Sequence, residues 1–449
     1  MDKVTAFFTR VMHRYLPEAL QIAMILTIIA IILSVTVQGT GVFETITYWG
    51  DGFWNLLEFT MQLSIILLTG YVLAQTPTVD NLLNKIVGKI KTPTMAIIVT
   101  TLIAGIATLI NWGVGLVIGA IIARKMALRV KGIHYPLIIA AGYSGFSLYG
   151  SGISGSIPII LATPGHFLEE QIGVIPLADT IFSLPMILTT VAILVTLPLF
   201  NALLQPKKKE DIIEINEQPA QAEIAATTAT IVTTTEEDVK TFAERINDSK
   251  LLGIGIGVIG MIYAVSYFVQ GGPLNLDILN IIMLSSGFAL MGSPARYFET
   301  ALEGIKSIAG MVLQFPFYAG IIGILTVSGL GSTVASWFVN FSTTQSLPFW
   351  SLISAYFLNL LVPSGGGQWA IQGPVMIEAA QALNTPVVIT AMSVQLGDAW
   401  NNMIQPFLLL PVLAISGLKL KHIMGYLVLI MFWIGIVFCA GILLWSYLG

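Results

Sequence analysis

The sequence predicts an all-α polytopic membrane protein, arranged as an inverted repeat with two re-entrant hairpins and two broken helices. Three observations lead there: the composition, the placement of the charges, and one order of features met in both halves. Of 449 residues, 55% are hydrophobic and 10% charged, with a mean hydropathy of +0.86. Such a chain has too little polar surface to face water on all sides. Residues 207–250 hold 6 Lys/Arg and 10 Asp/Glu, 16 of the 44 charges in the chain. Long uncharged runs fill the rest, and several reach the roughly 20 residues that cross a bilayer. A net charge of −4 says nothing about a partner, and no basic patch suggests nucleic acid. Cys439 stands alone, so neither an internal disulfide nor a cysteine-rich metal site is available. His13, His134, His166 and His422 fall singly near predicted span ends.

Taken in order, Lys3, Arg10 and Arg14 precede a first span over 17–37, which puts the N-terminus in the cytoplasm. The opening "MDKVTAFFTRVMHRYLPEAL" lacks a small-residue cleavage site and reads as an uncleaved first helix. A second span, 59–77, returns to Lys85, Lys89 and Lys91. Thr94 to Ala123 is then uncharged and would make a helix about 45 Å long, against a hydrocarbon core of about 30 Å. Its far end meets Arg124, Lys125, Arg129 and Lys131. Basic residues at both ends place both ends on one side, which a re-entrant hairpin satisfies and a single crossing does not. Its tip is "INWGVG", at Asn111–Gly115. Two crossings, 136–162 and 181–203, follow around an acidic outer loop with Glu169, Glu170 and Asp179. Residues 206–249 are expected to be a mobile polar cytoplasmic linker, and 251–269 a fifth span.

The second half repeats the first. "FET" at Phe43–Thr45 recurs at Phe298–Thr300, and Pro93 pairs with Pro348 at the same offset of 255. An odd number of crossings between the copies inverts the second, so its hairpin enters from outside, with Ser364–Gln368 of "LVPSGGGQWAIQGP" as the tip. About nine full spans result. The expected parts are scaffold spans (1–93), a first hairpin and broken helix (94–162), a last span (163–205), the linker (206–249), a linking span with further scaffold spans (250–346), a second hairpin and broken helix (347–410), and a last span (411–449). Inverted repeats with helices broken at mid-membrane are the construction of secondary transporters.

Two breaks face the hairpin tips: "GYSGFSLYGSGISGS" (142–156), where 10 of 15 residues are Gly or Ser, and "QLGDAWNNMIQP" (395–406). Non-helical backbone at membrane depth is tolerated where it is buried in protein or lines a wet cavity, and half-helix N-termini suit an anion. No Lys or Arg falls inside a predicted span core. The anion-binding candidates are therefore hydroxyls, amides and backbone N–H groups: Asn111, Gly113, Ser144, Ser147, Ser151, Ser364, Gly365, Gly366, Gly367, Gln368, Asn401 and Asn402. Asp398 is an ionisable group near mid-bilayer and functional by default; its structural reading is an N-cap for a half-helix beginning near Ala399. Since an ionised Asp398 repels a carboxylate, it is the candidate for cation coupling, by H⁺ or by Na⁺. Trp112 and Trp369, beside the tips, are candidates either for walls of the site or for plain packing.

The stretches "VPSGGGQWAIQGPVM" (362–376) and "SVQLGDAWNNMIQP" (393–406), with "NWGVGLVIGAIIARK" (111–125) and "GYSGFSLYGSGISGSIP" (142–158), resemble the bacterial short-chain fatty acid transporter family. The resemblance spans the chain apart from 206–249. It implies an elevator-type carrier of the ion-transporter superfamily, forming homodimers in the bacterial inner membrane and carrying small monocarboxylates such as butyrate or acetoacetate. No cofactor is implied beyond a coupled Na⁺ or H⁺. The alternatives are a carrier of dicarboxylates or other organic anions, a channel, and an intramembrane serine hydrolase. The last rests on "GYSG" and "GISG", which present Ser144 and Ser154; a serine nucleophile needs a base within hydrogen-bond reach.

Overall fold

The computed structural model describes residues 19–215, 241–305, 308–360 and 362–448, without the side chains of 406, 407 and 410, and every regular element among them is helical. The first half runs α1 (Ala19–Val37), α2 (Val42–Gly52), α3 (Leu57–Ala74), α4 (Pro77–Val87), α5 (Pro93–Ile110) and α6 (Trp112–Arg129). An interrupted helix follows as α7 (Tyr135–Ser144), a 3-10 segment (Gly145–Ser151) and α8 (Ser156–Leu161), then α9 (Leu184–Leu203). The linking helix α10 (Lys250–Val269) leads to α11 (Leu276–Met291), α12 (Pro294–Gly304), α13 (Ala309–Val327), α14 (Leu330–Phe341), α15 (Leu347–Asn359) and α16 (Gly365–Ala382). The second interrupted helix is α17 (Val387–Asn401), a 3-10 turn (Asn402–Ile404) and α18 (Pro406–Ser416), and α19 (Leu420–Leu448) ends the chain's described part.

The two halves thus present the same order of elements, and the "FET" tripeptides fall in the equivalent short helices α2 and α12. Pro93 and Pro348 each occupy the first turn of a hairpin's first leg, where a missing N–H costs nothing. Packing partners are exchanged between halves: α1 and α2 lie on α13, while α11 and α12 lie on α3.

Both expected hairpins are present as antiparallel helix pairs closed at the base. In the first, Gly132 after α6 lies against the Pro93 ring that opens α5. Lys125 Nζ reaches Asp80 (2.8 Å) and Asn84 (2.6 Å) on α4, and the Arg129 guanidinium donates to Gly88 O at 3.2 Å. Both ends of this hairpin therefore sit beside one segment. In the second, Thr344 Oγ1 donates to Leu383 O (2.8 Å) and Thr385 Oγ1 to Thr344 O (3.1 Å).

Seven helical stretches among the described residues are long and apolar enough to cross a bilayer; one, Pro93–Ile110, is a hairpin leg, while Leu276–Met291 is apolar but shorter. The last spans pack on the hairpins and interrupted helices: α9 on α5 and α19, and α19 also on α7, α15 and α17. Asn201 of α9 donates to Thr101 (3.0 Å) and Ser144 (2.9 Å), and Trp400 Nε1 to Met431 O (2.8 Å).

Of the expected linker, residues 216–240 lie outside the described residues, as do Lys3, Arg10, His13 and Arg14. Residues 206–215 do not read as a free linker. The Ile213 N–H donates to His134 Nδ1 (3.0 Å), Tyr135 N–H to Ile213 O (2.7 Å), and Gly132 N–H to Glu214 Oε1 (2.6 Å). Thr241 and Glu244 form a capping box on the short helix Phe242–Asn247.

Candidate functional site at the hairpin tips

The second leg of each hairpin is capped by one extended, polar residue. Asn111 (φ −153°, ψ 128°) ends α5 and caps α6, its Oδ1 accepting from Val114 N–H at 3.0 Å. Ser364 (φ −154°, ψ 114°) caps α16 in the same way, accepting from Gly367 N–H at 3.4 Å. The caps satisfy N–H groups that helix geometry leaves without partners. The tripled glycine, placed by the sequence in the hairpin tip, is the first turn of α16. Tertiary contact overrides its poor helix propensity: a Cβ at Gly365 would stand 2.5 Å from Tyr149 Oη, at Gly366 2.6 Å from Leu63 Cδ1, and at Gly367 2.7 Å from Tyr318 Cε2. Three different neighbours demand three missing side chains.

A cavity of about 560 Å³ lies where the tips and breaks meet. Leu63, Leu67 and Met311 wall it from α3 and α13, and Trp112, Leu116, Val117 and Phe146 from the first hairpin and break. One end is polar, with Tyr149, Ser156, Ser364, Gly365 and Asn402; the other carries Tyr71, Glu303 and Gly304. Of the expected binding residues, Gly113, Ser364, Gly365 and Asn402 line this space.

Asp398 lies behind the polar end, fully buried. It does not cap a helix N-terminus. The helix α17 runs through it to Asn401, and the break comes later, at 402–405. Its Oδ1 accepts from Asn359 Nδ2, and its Oδ2 from Gln395 and Asn402 side chains at 3.5 Å each. Around it runs a buried row of amides. Gln405 Nε2 donates to Asn359 O (2.6 Å) and to Asn401 Oδ1 (2.9 Å); Asn359 Nδ2 reaches Gln368 Oε1 (3.2 Å); Gln368 Nε2 reaches Gln372 Oε1 (3.0 Å). Gln395 Oε1 accepts from Ile157 N–H of the other break at 2.8 Å. All of Asp398's hydrogen-bonding partners are neutral amides.

The remaining expected residues are placed as follows. Gln368 and Asn401 belong to the amide row, Gly366 and Gly367 to the packing of α16, and Asn111 joins α3 through an Nδ2 bond to Ile66 O at 3.2 Å. Ser144 Oγ donates to Ala141 O (2.8 Å) and accepts from Asn201. Ser154 Oγ accepts from Trp112 N–H (3.0 Å). The two serines of the hydrolase pattern thus hold backbone and amide groups rather than a base. Ser147 and Ser151 are buried, their hydroxyls without a hydrogen-bond partner among the described residues. Trp112 lines the cavity, while Trp369 is fully buried in a separate apolar cluster with Ile157, Ile160 and Val394 and does not line it. Sequence reasoning missed Tyr149, Ser156, Asn359 and Gln395. Gln395 sits three residues before Asp398, one turn away on the same helix face, and that spacing was a usable signal.

Comparison with known proteins agrees with this geometry. The profile of the short chain fatty acid transporter family matches residues 1–445. An Escherichia coli protein, provisionally named a short-chain fatty acid transporter, is 37% identical over 445 residues, covering 99% of this chain and 100% of its own. A Haemophilus influenzae protein with the same name is 37% identical over 434 residues, 95% and 96% of the two chains. Among solved structures, the Alcanivorax borkumensis YdaH transporter superposes with a TM-score of 0.59 at 13% identity, over 96% of this chain and 98% of that one. Neisseria gonorrhoeae MtrF, described within a class of antimetabolite efflux pumps, gives 0.53 at 15% identity over 98% and 97%. At such identities these two speak for the fold alone. A multi-pass helical architecture of the bacterial inner membrane, a cavity at the meeting point of two hairpin tips, and a profile match across nearly the whole length lead to one statement: the chain belongs to the short-chain fatty acid transporter family.

Proposed function

We propose that the chain is a secondary carrier of short-chain monocarboxylates, coupled to a cation and working by elevator-type alternating access between inverted repeats. The observation that carries this reading is the cavity's polar end beside Asp398. The Gly365 and Gly366 N–H groups in the first turn of α16 have no intrahelical acceptor and lie at the positive end of the helix dipole, which suits one carboxylate. The apolar walls suit a few methylenes, each worth about 0.8 kcal/mol when buried. Among the described residues no Lys or Arg lines the cavity, and Glu303 stands at its far end, so a second negative charge on the substrate, as in a dicarboxylate, finds no partner among them. Asp398 Oδ2 lies 3.1 Å from the Cβ position of Gly365. An ionised Asp398 would repel the bound acid unless a proton or Na⁺ entered with it, which supports symport.

The matched order of elements, the exchanged packing partners and the twin caps at Asn111 and Ser364 support the inverted repeat. Nine crossings follow if the hairpin legs turn back at mid-depth, the two interrupted helices cross, and Leu276–Met291 crosses despite its length. With the basic ends of the first hairpin in the cytoplasm, the cavity opens inward. The moving body would include α9 and α19, which pack on it; homodimers through the remaining helices belong to the same proposal. Uptake of radiolabelled butyrate and acetoacetate into proteoliposomes, under separately imposed proton and sodium gradients, tests it. Saturable uptake accelerated by one gradient is expected, and non-saturable flux indifferent to both would refute it.

A further inference from the structure

Tyr149 belongs to neither the amide row nor the helix caps, yet it lines the polar end of the cavity against the first turn of α16. It comes from the 3-10 segment of the first break, is 3% exposed, and its hydroxyl has no hydrogen-bond partner among the described residues, Asp398 included. Its ring is stacked on Phe146, centroids 5.2 Å apart and planes 10° from parallel. This fixes the direction of the hydroxyl, which points at the N-terminus of α16 from the opposite half of the chain: 2.5 Å from where a Gly365 Cβ would stand. Ser156 Oγ is 3.0 Å from the same point. Asn402 Oδ1, also buried at this end of the cavity, is likewise unpartnered. A buried phenol without a partner is costly, and the cost vanishes when a ligand oxygen arrives.

We propose that Tyr149 is a substrate-contacting residue, whose hydroxyl donates, together with that of Ser156, to the carboxylate held at the first turn of α16, so that the two halves of the chain grip one anion. The inference rests on the carrier reading above. Its consequence is that affinity for the acid depends on a hydroxyl from the first half, and cation dependence on Asp398 from the second.

The test compares wild type with Tyr149→Phe, which keeps the ring stacked on Phe146, in butyrate uptake by proteoliposomes and in thermal stabilisation of the detergent-solubilised protein by butyrate. A lost hydrogen bond to a charged group predicts KM and the half-saturating concentration for stabilisation raised about tenfold or more. The cation concentration for half-maximal rate stays unchanged. Ser156→Ala should weaken binding in the same direction. Equal butyrate affinity in wild type and Tyr149→Phe would overturn the assignment while leaving the carrier reading intact, as would a variant whose only change is in cation dependence. A wild type that neither transports butyrate nor is stabilised by it would refute the carrier reading, and this inference with it.

Discussion

Asn111 turns the first hairpin with a single side chain, and its replacement separates two contributions. Its Oδ1 caps α6 at Val114 N–H, 3.0 Å away, and its Nδ2 donates to Ile66 O on α3 at 3.2 Å. Loss of the cap costs about 1 kcal/mol. The second bond contributes about 1 kcal/mol and no more, because Ile66 O keeps a bond from Thr69 Oγ1 at 3.2 Å and is not orphaned. Asn111→Ala should therefore lose about 2 kcal/mol. Serine serves as the cap at the other tip, so Asn111→Ser should keep the first bond, be too short for the second, and lose about 1 kcal/mol. Reversible unfolding in mixed micelles measures both. Equal losses in the two variants would show that a hydroxyl cannot replace the amide cap here, and unchanged stability in both would refute the accounting altogether.

Asp398→Asn keeps the shape of the side chain and removes the charge that the cation is proposed to offset. Uptake of butyrate should lose its acceleration by the coupling gradient while exchange across equilibrated membranes persists; retained acceleration under both proton and sodium gradients would count against a coupling role. His134, outside the spans, is held below its ordinary pKa chiefly by burial, with Asp211 pulling the other way, and lies edge-on to the Tyr426 ring at 5.5 Å. Its neutral Nδ1 accepts from Ile213 N–H. A depressed folded pKa stabilises the folded contact above the unfolded value, about 6.5, and that contribution is lost as pH falls through the folded value. Exchange of the Ile213 amide should therefore quicken at pH 5 relative to pH 7.5 beyond its intrinsic pH dependence, and a His134→Asn variant should lack that excess.

How much of this was legible in the sequence depends on what fixed each feature. The first hairpin could be read because basic residues at 85–91 and 124–131 constrain its two ends to one side, and the equivalent positions of the "FET" tripeptides and of Pro93 and Pro348 register the halves. The helical state of Gly365–Gly367 was hidden, because Tyr149, Leu63 and Tyr318, distant in sequence, decide it. Asp398 could be read as a cap because a half-helix was expected to begin near Ala399, but the helix continues, and a Cβ at Gly397 would stand 2.3 Å from Leu352 O. That glycine allows α15 and α17 to approach, and it ends nothing. Asn359 lay unnoticed in the apolar run "SAYFLNLLVP"; its importance comes from facing Asp398, 39 residues away.

The distribution of polar bonds bears on whether one body moves against another. Tyr143 Oη donates to Asn402 O, Tyr135 Oη to Ser416 O at 2.7 Å, and Ile157 N–H to Gln395 at 2.8 Å. These directional bonds tie the interrupted helix of one half to that of the other, so the two should travel together. Across to α3, α11 and α13 the contact has another character. Leu63, Phe59 and Tyr318 meet the glycines of α16 through apolar and aromatic surface, which is non-directional and can be re-formed after sliding. Beside the Asn111 bond, a polar link is Leu276 N–H to Thr163 Oγ1 at 3.1 Å. That link marks a place where a bridge would arrest motion without touching the cavity. A Thr163→Cys, Leu276→Cys pair, in a Cys439→Ala background and joined by a short bismaleimide, should abolish butyrate uptake, with the unbridged pair still active. Uptake continuing at the unbridged rate, with crosslinking complete by mobility shift, would mean that the hairpins do their work without leaving α11.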